Sequence, residues 1–271
     1  MCLIAFAVAQ RADYPLILLA NRDEFFHRPT APLQQWHDHP MIYGGRDLSA
    51  GGSWLAMHQT GRWAAVTNYR SGQAQPANRS RGELVTQLMD TQYPLSKLFN
   101  SIRQERLDYA GFNLIAGEAN QSDVLYYANT QDTFMRLKAG VYAMSNGHLF
   151  DSWPKMTLWQ NRLKPLINQR KIRVSELMSL AQAQQQFPVQ QLPQTGVPKS
   201  LEQQLASPFI KPFELNNQHY GTRSTALILS QVDQSDFYEQ TYSAATDQHR
   251  DDQANGSIEH INIQYSGIFD D

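Results

Sequence analysis

Short apolar runs and polar stretches follow one another in an order that groups strands with strands and helices with helices. Residues 2–9 (CLIAFAVA) and 16–20 (LILLA) are unbroken apolar runs flanking the turn-like QRADYP, and they predict a hairpin of buried strands. Residues 21–47 are polar, rich in His and Pro, and read as a loop. In SWLAMHQTGRWAAVTNYR two strand-like runs meet at Thr60-Gly61, the pattern of a second hairpin. Ser80-Arg81-Gly82-Glu83 has the capping-box spacing ahead of LVTQLMD, so a helix is expected to start there. PLSKLFNSIRQ continues with Leu95, Leu98, Phe99 and Ile102 at helical spacing.

From Gly111 the strand pattern returns in FNLIAG, VLYYAN, TFMRL and VYAMSN. Helices are predicted at TLWQNRLKPLI and SELMSLAQAQQQF. Residues 188–212 contain several prolines and predict an irregular excursion with a short helix near 200–205. STALILS and FYEQTYS flank the turn VDQSD, residues 246–256 have the polarity of a mobile loop, and IEHINIQYS reads as a last strand. Grouped strands and grouped helices argue for an α+β layered fold with mainly antiparallel sheets, not for an alternating parallel one. The glycine pairs at 44–45 and 51–52 spell no dinucleotide or phosphate-loop fingerprint. A single domain over residues 1–271 is expected.

Composition narrows the classes. A net charge of -2 offers no basic field for nucleic acid or an anionic membrane. Neither early apolar run approaches the ~20 residues of a membrane span, and no basic residue precedes CLIAFAVA as in a signal peptide. A lone cysteine makes no internal disulfide, so a reducing, cytoplasmic setting is expected.

That cysteine is Cys2, directly after the initiator methionine. Loss of Met1 would leave a thiol and a free α-amine on one residue. With a reference pKa of roughly 7.7–8.0, the amine is partly neutral near neutral pH and can serve the thiol as its base. The competing interpretation is a small apolar residue opening a buried strand. Four polar clusters at expected strand ends bear on the choice: Asn21-Arg22-Asp23-Glu24, Thr67-Asn68-Tyr69, Ser145-Asn146-Gly147 and Tyr220-Gly221-Thr222-Arg223. An arginine near Cys2 would favour thiolate, a carboxylate would orient the amine, and an asparagine amide could donate to an oxyanion.

MCLI, LANRDEFFHRPT, GGRD, GGSWLA, GRWAAVTNYR, SRGEL, FNLIAG, YAMSNG with WPK after it, and YGTRSTALIL resemble the NRDE proteins, whose eukaryotic members are called transport and Golgi organisation protein 2. Residues 168–213 and the polar tail carry little of the resemblance. The NRDE proteins in turn resemble N-terminal nucleophile hydrolases of the penicillin V acylase and bile salt hydrolase kind. That resemblance implies a four-layer αββα sandwich and cleavage of a non-peptide C–N bond in a small-molecule acyl amide, with no cofactor. Cys2 would be the nucleophile, Asn68 an oxyanion donor, Asn146 an aid to substrate and intermediate binding, and Arg223 the late arginine near the nucleophile. The acylases space their arginine and aspartate as Arg-x-x-Asp. Here Arg22 and Asp23 are adjacent, and Glu24 is an alternative to Asp23. Asn21, Glu24, Tyr69 and His148 complete the expected ligand contacts.

The resemblance also implies a rival role, since NRDE proteins have been linked to intracellular haem movement and lipid homeostasis. Phe25, Phe26, Trp54, Trp63, Tyr69 and Trp153 are candidates to line an apolar cleft. Cys2 and histidines such as His27, His58, His148 and His219 are the possible haem ligands, without a CxxCH attachment motif. The Trp36-His37-Asp38-His39 run has no zinc-site spacing, reads as a surface loop, and no metal site is expected.

Overall fold

The computed structural model describes residues 2–73, 77–244 and 255–266. Strands β1 (Cys2–Val8) and β2 (Leu16–Phe25) pair as the expected antiparallel hairpin. β3 (Thr30–Gln35), β4 (Ile42–Asp47), β5 (Leu55–His58) and β6 (Arg62–Asn68) follow. Helices α1 (Gly82–Leu88) and α2 (Leu95–Gln104) precede β7 (Phe112–Glu118), β8 (Val124–Ala128), β9 (Thr133–Leu137) and β10 (Gly140–Met144). Next come α3 (Pro154–Ile167), α4 (Val174–Ala181) and α5 (Lys199–Leu205). The described chain closes with β11 (Phe213–Leu215), β12 (Gln218–Ser230), β13 (Gln234–Tyr242) and β14 (Asn255–Gln264).

Two antiparallel sheets result. One runs β10-β1-β2-β12-β13-β14 with β11 on β12, and the other runs β3 to β9 in chain order. The unbroken apolar character of β1 has a simple cause, because both faces of its sheet are covered. Ile4, Phe6, Val8, Leu16 and Leu18 meet Leu55, Met57, Trp63 and Ile115 of the facing sheet. Leu3, Ala5, Ile17 and Leu19 meet Met156, Trp159, Leu163 and Leu177 of α3 and α4. Ala64, Val66 and Leu114 on the second sheet's outer face pack on Leu84, Val85, Phe99 and Ile102 of α1 and α2. The layer order is therefore αββα. Burying each large side chain contributes roughly 1.5–3 kcal/mol, so the central hairpin is anchored on two sides at once.

Several sequence expectations need correction. Residues 21–47 are not a loop, because they hold the end of β2 and all of β3 and β4. The end of β2 is hidden from an apolar pattern because Asn21, Arg22 and Asp23 are buried polar residues, and β3 because it is largely exposed, with only Leu33 buried. α4 stops at Ala181 and does not run through QAQQQF, since its buried set ends at Leu180 and Ala181 and the glutamines beyond have no apolar face to cover. β12 starts at Gln218, ahead of STALILS, and pairs there with β11, which the sequence did not suggest. The Ser80 box forms only in part: Glu83 accepts the Ser80 N–H at 3.4 Å, but the Glu83 N–H goes to the Ser80 carbonyl. The Ser80 hydroxyl takes the Gly82 N–H at 3.3 Å, and the residue flanking α1 is Arg81, which makes no side-chain cap. Of the expected 246–256 loop, residues 246–254 lie outside the described residues, and Asn255 and Gly256 open β14. No described helix is long and apolar enough to cross a membrane.

Candidate active site

Cys2 opens β1 and its direct cross-strand partner on β2 is Arg22. Side chains alternate between faces along a strand, so β2 splits the Asn21–Glu24 run. Arg22 and Glu24 continue the face of Leu18 and Ala20 toward the second sheet, and both line a cleft of about 190 Å³ with Cys2. Asn21 and Asp23 continue the opposite face, toward the helices. The Asn21 amide donates to the carbonyls of Ala181 and Pro208, and its oxygen accepts from the Thr225 hydroxyl at 2.6 Å. Asn21 is fully buried and bonded in this way, so it sits off the cleft as a brace between sheet and helix layer.

The second sheet supplies the other wall, with Ser53, Trp54, Val66 and Asn68. Trp54 lies under the Arg22 guanidinium, 4.1 Å from its ring centroid, a cation–π contact that fixes the arginine beside the sulfur. Arg22 also donates to the Thr30 hydroxyl at 3.2 Å. Three further arginines line the cleft: Arg28, paired with Asp47 at 2.7 Å, Arg79, paired with Glu83 and Glu105, and Arg81. Arg81 donates to the Gly111 carbonyl at 3.2 Å, and burial lowers its pKa. Burial raises the Glu24 carboxyl, but the surrounding positive charge, including Arg22 and Arg28, and the Phe25 N–H outweigh it and hold the group below its ordinary value. The Cys2 thiol is only 6% exposed. Burial pushes it up, Asp23 and Glu24 add to that, and Arg22 works against it. The resting group is a thiol that needs a base to react.

Behind Cys2 a buried polar network ties β10 to β6. The Ser145 hydroxyl donates to the Cys2 carbonyl at 3.0 Å, and the Asn146 amide donates to the Asn68 carbonyl at 2.9 Å. Arg70 donates to the Asn146 side-chain oxygen at 3.2 Å and to Glu202 at 2.7 Å, with both members of that ion pair 4% exposed. Asn113 donates to the Gly147 carbonyl at 2.8 Å, and Thr67 to that of Ser145 at 2.6 Å. Lys155, at the start of α3, is buried with its ammonium on the Leu205 carbonyl at 3.0 Å. Burial, with Arg70 nearby, lowers its pKa to about 8. Burial raises Asp23, while Lys155 and the Thr222 hydroxyl, which donates to it at 2.7 Å, act the other way.

The fold thus gathers Cys2, Arg22, Glu24 and Asn68 on one cleft and places Asp23 and Asn146 in the network behind it. Arg223 lies elsewhere. The register of β12 on β2 jumps between Thr222 and Ser224, leaving Arg223 as a bulge residue whose guanidinium holds the Phe25 and Arg28 carbonyls at 3.2 and 2.6 Å. The Tyr69 and His148 rings pack in a tilted arrangement, centroids 4.8 Å apart, outside the Cys2 cleft, and His148 bonds the Thr130 hydroxyl. Of the aromatic candidates only Trp54 lines the cleft. Trp63 is core, Phe25 packs on Tyr220, Phe26 lies under Arg223, and Trp153 under Arg70. No histidine is among the described residues lining the cleft. Asp38 and His39 are on an exposed turn where Asp38 pairs with Arg46, and no cluster able to hold a metal occurs among the described residues. The sequence did not single out Arg28, Arg70, Arg81, Lys155 or Glu202. Arg81 and Lys155 fall in the SRGEL and WPK segments, whereas Glu202 lies in a stretch with no such signal.

Residues 1–244 match the family described as transport and Golgi organisation 2. The chain is 30% identical over 252 residues to the transport and Golgi organization protein 2 homolog of Bos taurus, covering 86% of this chain and 90% of that one. It is 29% identical over 248 residues to the homolog of Mus musculus, covering 84% and 88%. Among solved structures, a Caenorhabditis elegans N-acylethanolamine-hydrolyzing acid amidase ortholog superposes with a TM-score of 0.48 at 8% identity, over 84% of this chain and 92% of that one. Penicillin V acylase from Agrobacterium tumefaciens superposes at 0.44 with 12% identity, over 90% and 84%.

Proposed function

The chain belongs to the transport and Golgi organisation 2 family, and from that premise we propose that it is a cysteine amidohydrolase or acyltransferase for a small-molecule acyl amide. Once Met1 is removed, the α-amine of Cys2 takes the thiol proton as the sulfur attacks the carbonyl carbon. The carbonyl oxygen becomes an oxyanion within reach of a donor amide from Asn68. Collapse breaks the C–N bond, the α-ammonium returns its proton to the leaving amine, and a thioester remains on Cys2. Water or an acceptor amine, deprotonated by the same α-amine, then releases the acyl group and restores the thiol. Asp23 and Glu24 bracket the amine from the two faces of β2, and Arg22 favours the developing thiolate.

The observation that carries this is the shared cleft: the only cysteine of the chain lines it together with Arg22 and Asn68. Burial that holds the sulfur as thiol makes a local base necessary, and the α-amine is the nearest available. The test is intact-mass analysis of the purified protein with a panel of N-acyl amides. Loss of Met1 and an acyl adduct absent from Cys2→Ala are expected. A chain that keeps Met1 and still turns over amide would sink the mechanism. Haem titration separates a carrier role, because a spectrum that shifts on stoichiometric haem and reverts in Cys2→Ala would assign the cleft to haem instead.

A further inference from the structure

A second cavity, of about 240 Å³, shares Arg22 with the Cys2 cleft but not Cys2 itself. Arg223, Ser224, Glu239, Thr241 and Tyr242 are among its walls. Two guanidiniums therefore border one small space. Arg22 is 5% exposed, and the nearness of Arg22, after burial, lowers the Arg223 pKa. Among the described residues neither arginine forms an ion pair with a carboxylate. The Arg223 Nε is buried and has no hydrogen-bond partner among them, its Nη1 being spent on the Phe25 and Arg28 carbonyls.

Buried charges are ordinarily paired, and a buried Arg22 and a half-buried Arg223 bordering one space with no carboxylate in ion-pair contact cost free energy. Glu24 sets its charge near Arg22 from the Cys2 cleft but does not line this cavity, and the carboxyl that does line it is already engaged. Glu239 is buried, its Oε2 is engaged by the Leu33 N–H at 2.5 Å, and among the described residues it forms no ion pair with either arginine. The missing partner is an anion. A guanidinium edge matches a planar carboxylate in two parallel hydrogen bonds. At 240 Å³ the space exceeds several-fold the roughly 30 Å³ of one water, yet it is below the usual range for drug-sized ligands. An organic acid of a few carbons fits these limits better than a bare inorganic oxyanion.

We propose that this cavity binds a small organic carboxylate between Arg22 and Arg223, and that its occupancy slows the chemistry of Cys2 by claiming the Arg22 guanidinium. The coupling runs through one shared side chain. It holds whether or not Cys2 cleaves amides, because it concerns the reactivity of the thiol alone.

The experiment uses the full chain at constant ionic strength set with chloride, with butyrate and inorganic phosphate as probes. Binding is read by calorimetry and the thiol by its rate of alkylation with iodoacetamide. Butyrate is expected to bind saturably and to slow alkylation by roughly threefold to tenfold, since a negative charge arriving nearby raises the thiol pKa. Arg223→Gln should lose both effects and Arg81→Gln should keep both. Pro32→Trp, which fills the cavity from its exposed rim and removes neither arginine, should lose both as well if Arg223→Gln fails to fold. Absence of saturable butyrate binding overturns the proposal. So does binding that survives Arg223→Gln or Pro32→Trp, or that disappears in Arg81→Gln, which would place the anion in the Cys2 cleft. A response to phosphate with none to butyrate overturns the carboxylate assignment.

Discussion

Cys2 and Arg22 stand directly opposite each other across β1 and β2, with the guanidinium backed by the Trp54 ring at 4.1 Å. The arginine is thus held beside the sulfur by the sheet register and not by a flexible loop. Arg22→Gln removes a positive charge that favours thiolate, so the thiol pKa should rise and alkylation at fixed pH should slow. Cys2 is the only cysteine, and the pH profile of iodoacetamide alkylation reports it alone. An unchanged midpoint would mean that the guanidinium does not act on the sulfur.

The Asn68 amide lines the cleft from the end of β6, on the opposite wall from β1. Asn68→Ala should slow formation of the acyl adduct by roughly 10²–10³-fold if the amide meets the oxyanion. Stopped-flow detection of the first turnover is the appropriate measurement. A loss confined to KM would assign Asn68 to substrate binding.

Arg70 and Glu202 form an ion pair in which both side chains are 4% exposed. Glu202→Ala leaves a guanidinium buried without its counter-charge and should cost about 3–5 kcal/mol in urea unfolding. The double replacement Arg70→Met, Glu202→Leu should be less destabilised than Glu202→Ala, because no charge is left stranded.

Lys155 gives stability a slope at high pH. Its ammonium deprotonates at about 8 in the folded chain, against 10.5 as an ordinary lysine. Between those values the unfolded chain binds more protons, so the free energy of unfolding rises with pH by up to ~1.4 kcal/mol per unit. Below pH 8 the penalty for burying the charge is fully present. Relative to Lys155→Met, the wild type should therefore gain stability from pH 8 to 10, and parallel urea midpoints over that range would refute the shift.

The β1–β2 and β5–β6 hairpins were legible because their apolar runs carry their own signal. So was the layered α+β class. Residues 21–47 were not, since a strand end reading Asn21-Arg22-Asp23-Glu24 looks like surface until the partners that bury it are known. Those partners are distant: Asn21 is sealed by the carbonyls of Ala181 and Pro208, and Asp23 accepts from the Thr222 hydroxyl. The cleft was legible only as far as its strand ends. Cys2 and Asn68 could be named from the sequence, but the displacement of Arg223 depends on a bulge between β2 and β12 that no local pattern marks.

The division of the NRDE letters between two layers imposes a parity rule on β2. Deleting one residue ahead of Asn21 within the strand would turn the sequence over, bringing carboxamide and aspartate against the sulfur and driving the guanidinium among the helices. Only changes in steps of two, or a compensating bulge, keep odd positions odd. The tetrapeptide is therefore better regarded as two interleaved pairs, each answerable to a different neighbour, which happen to be spelled consecutively.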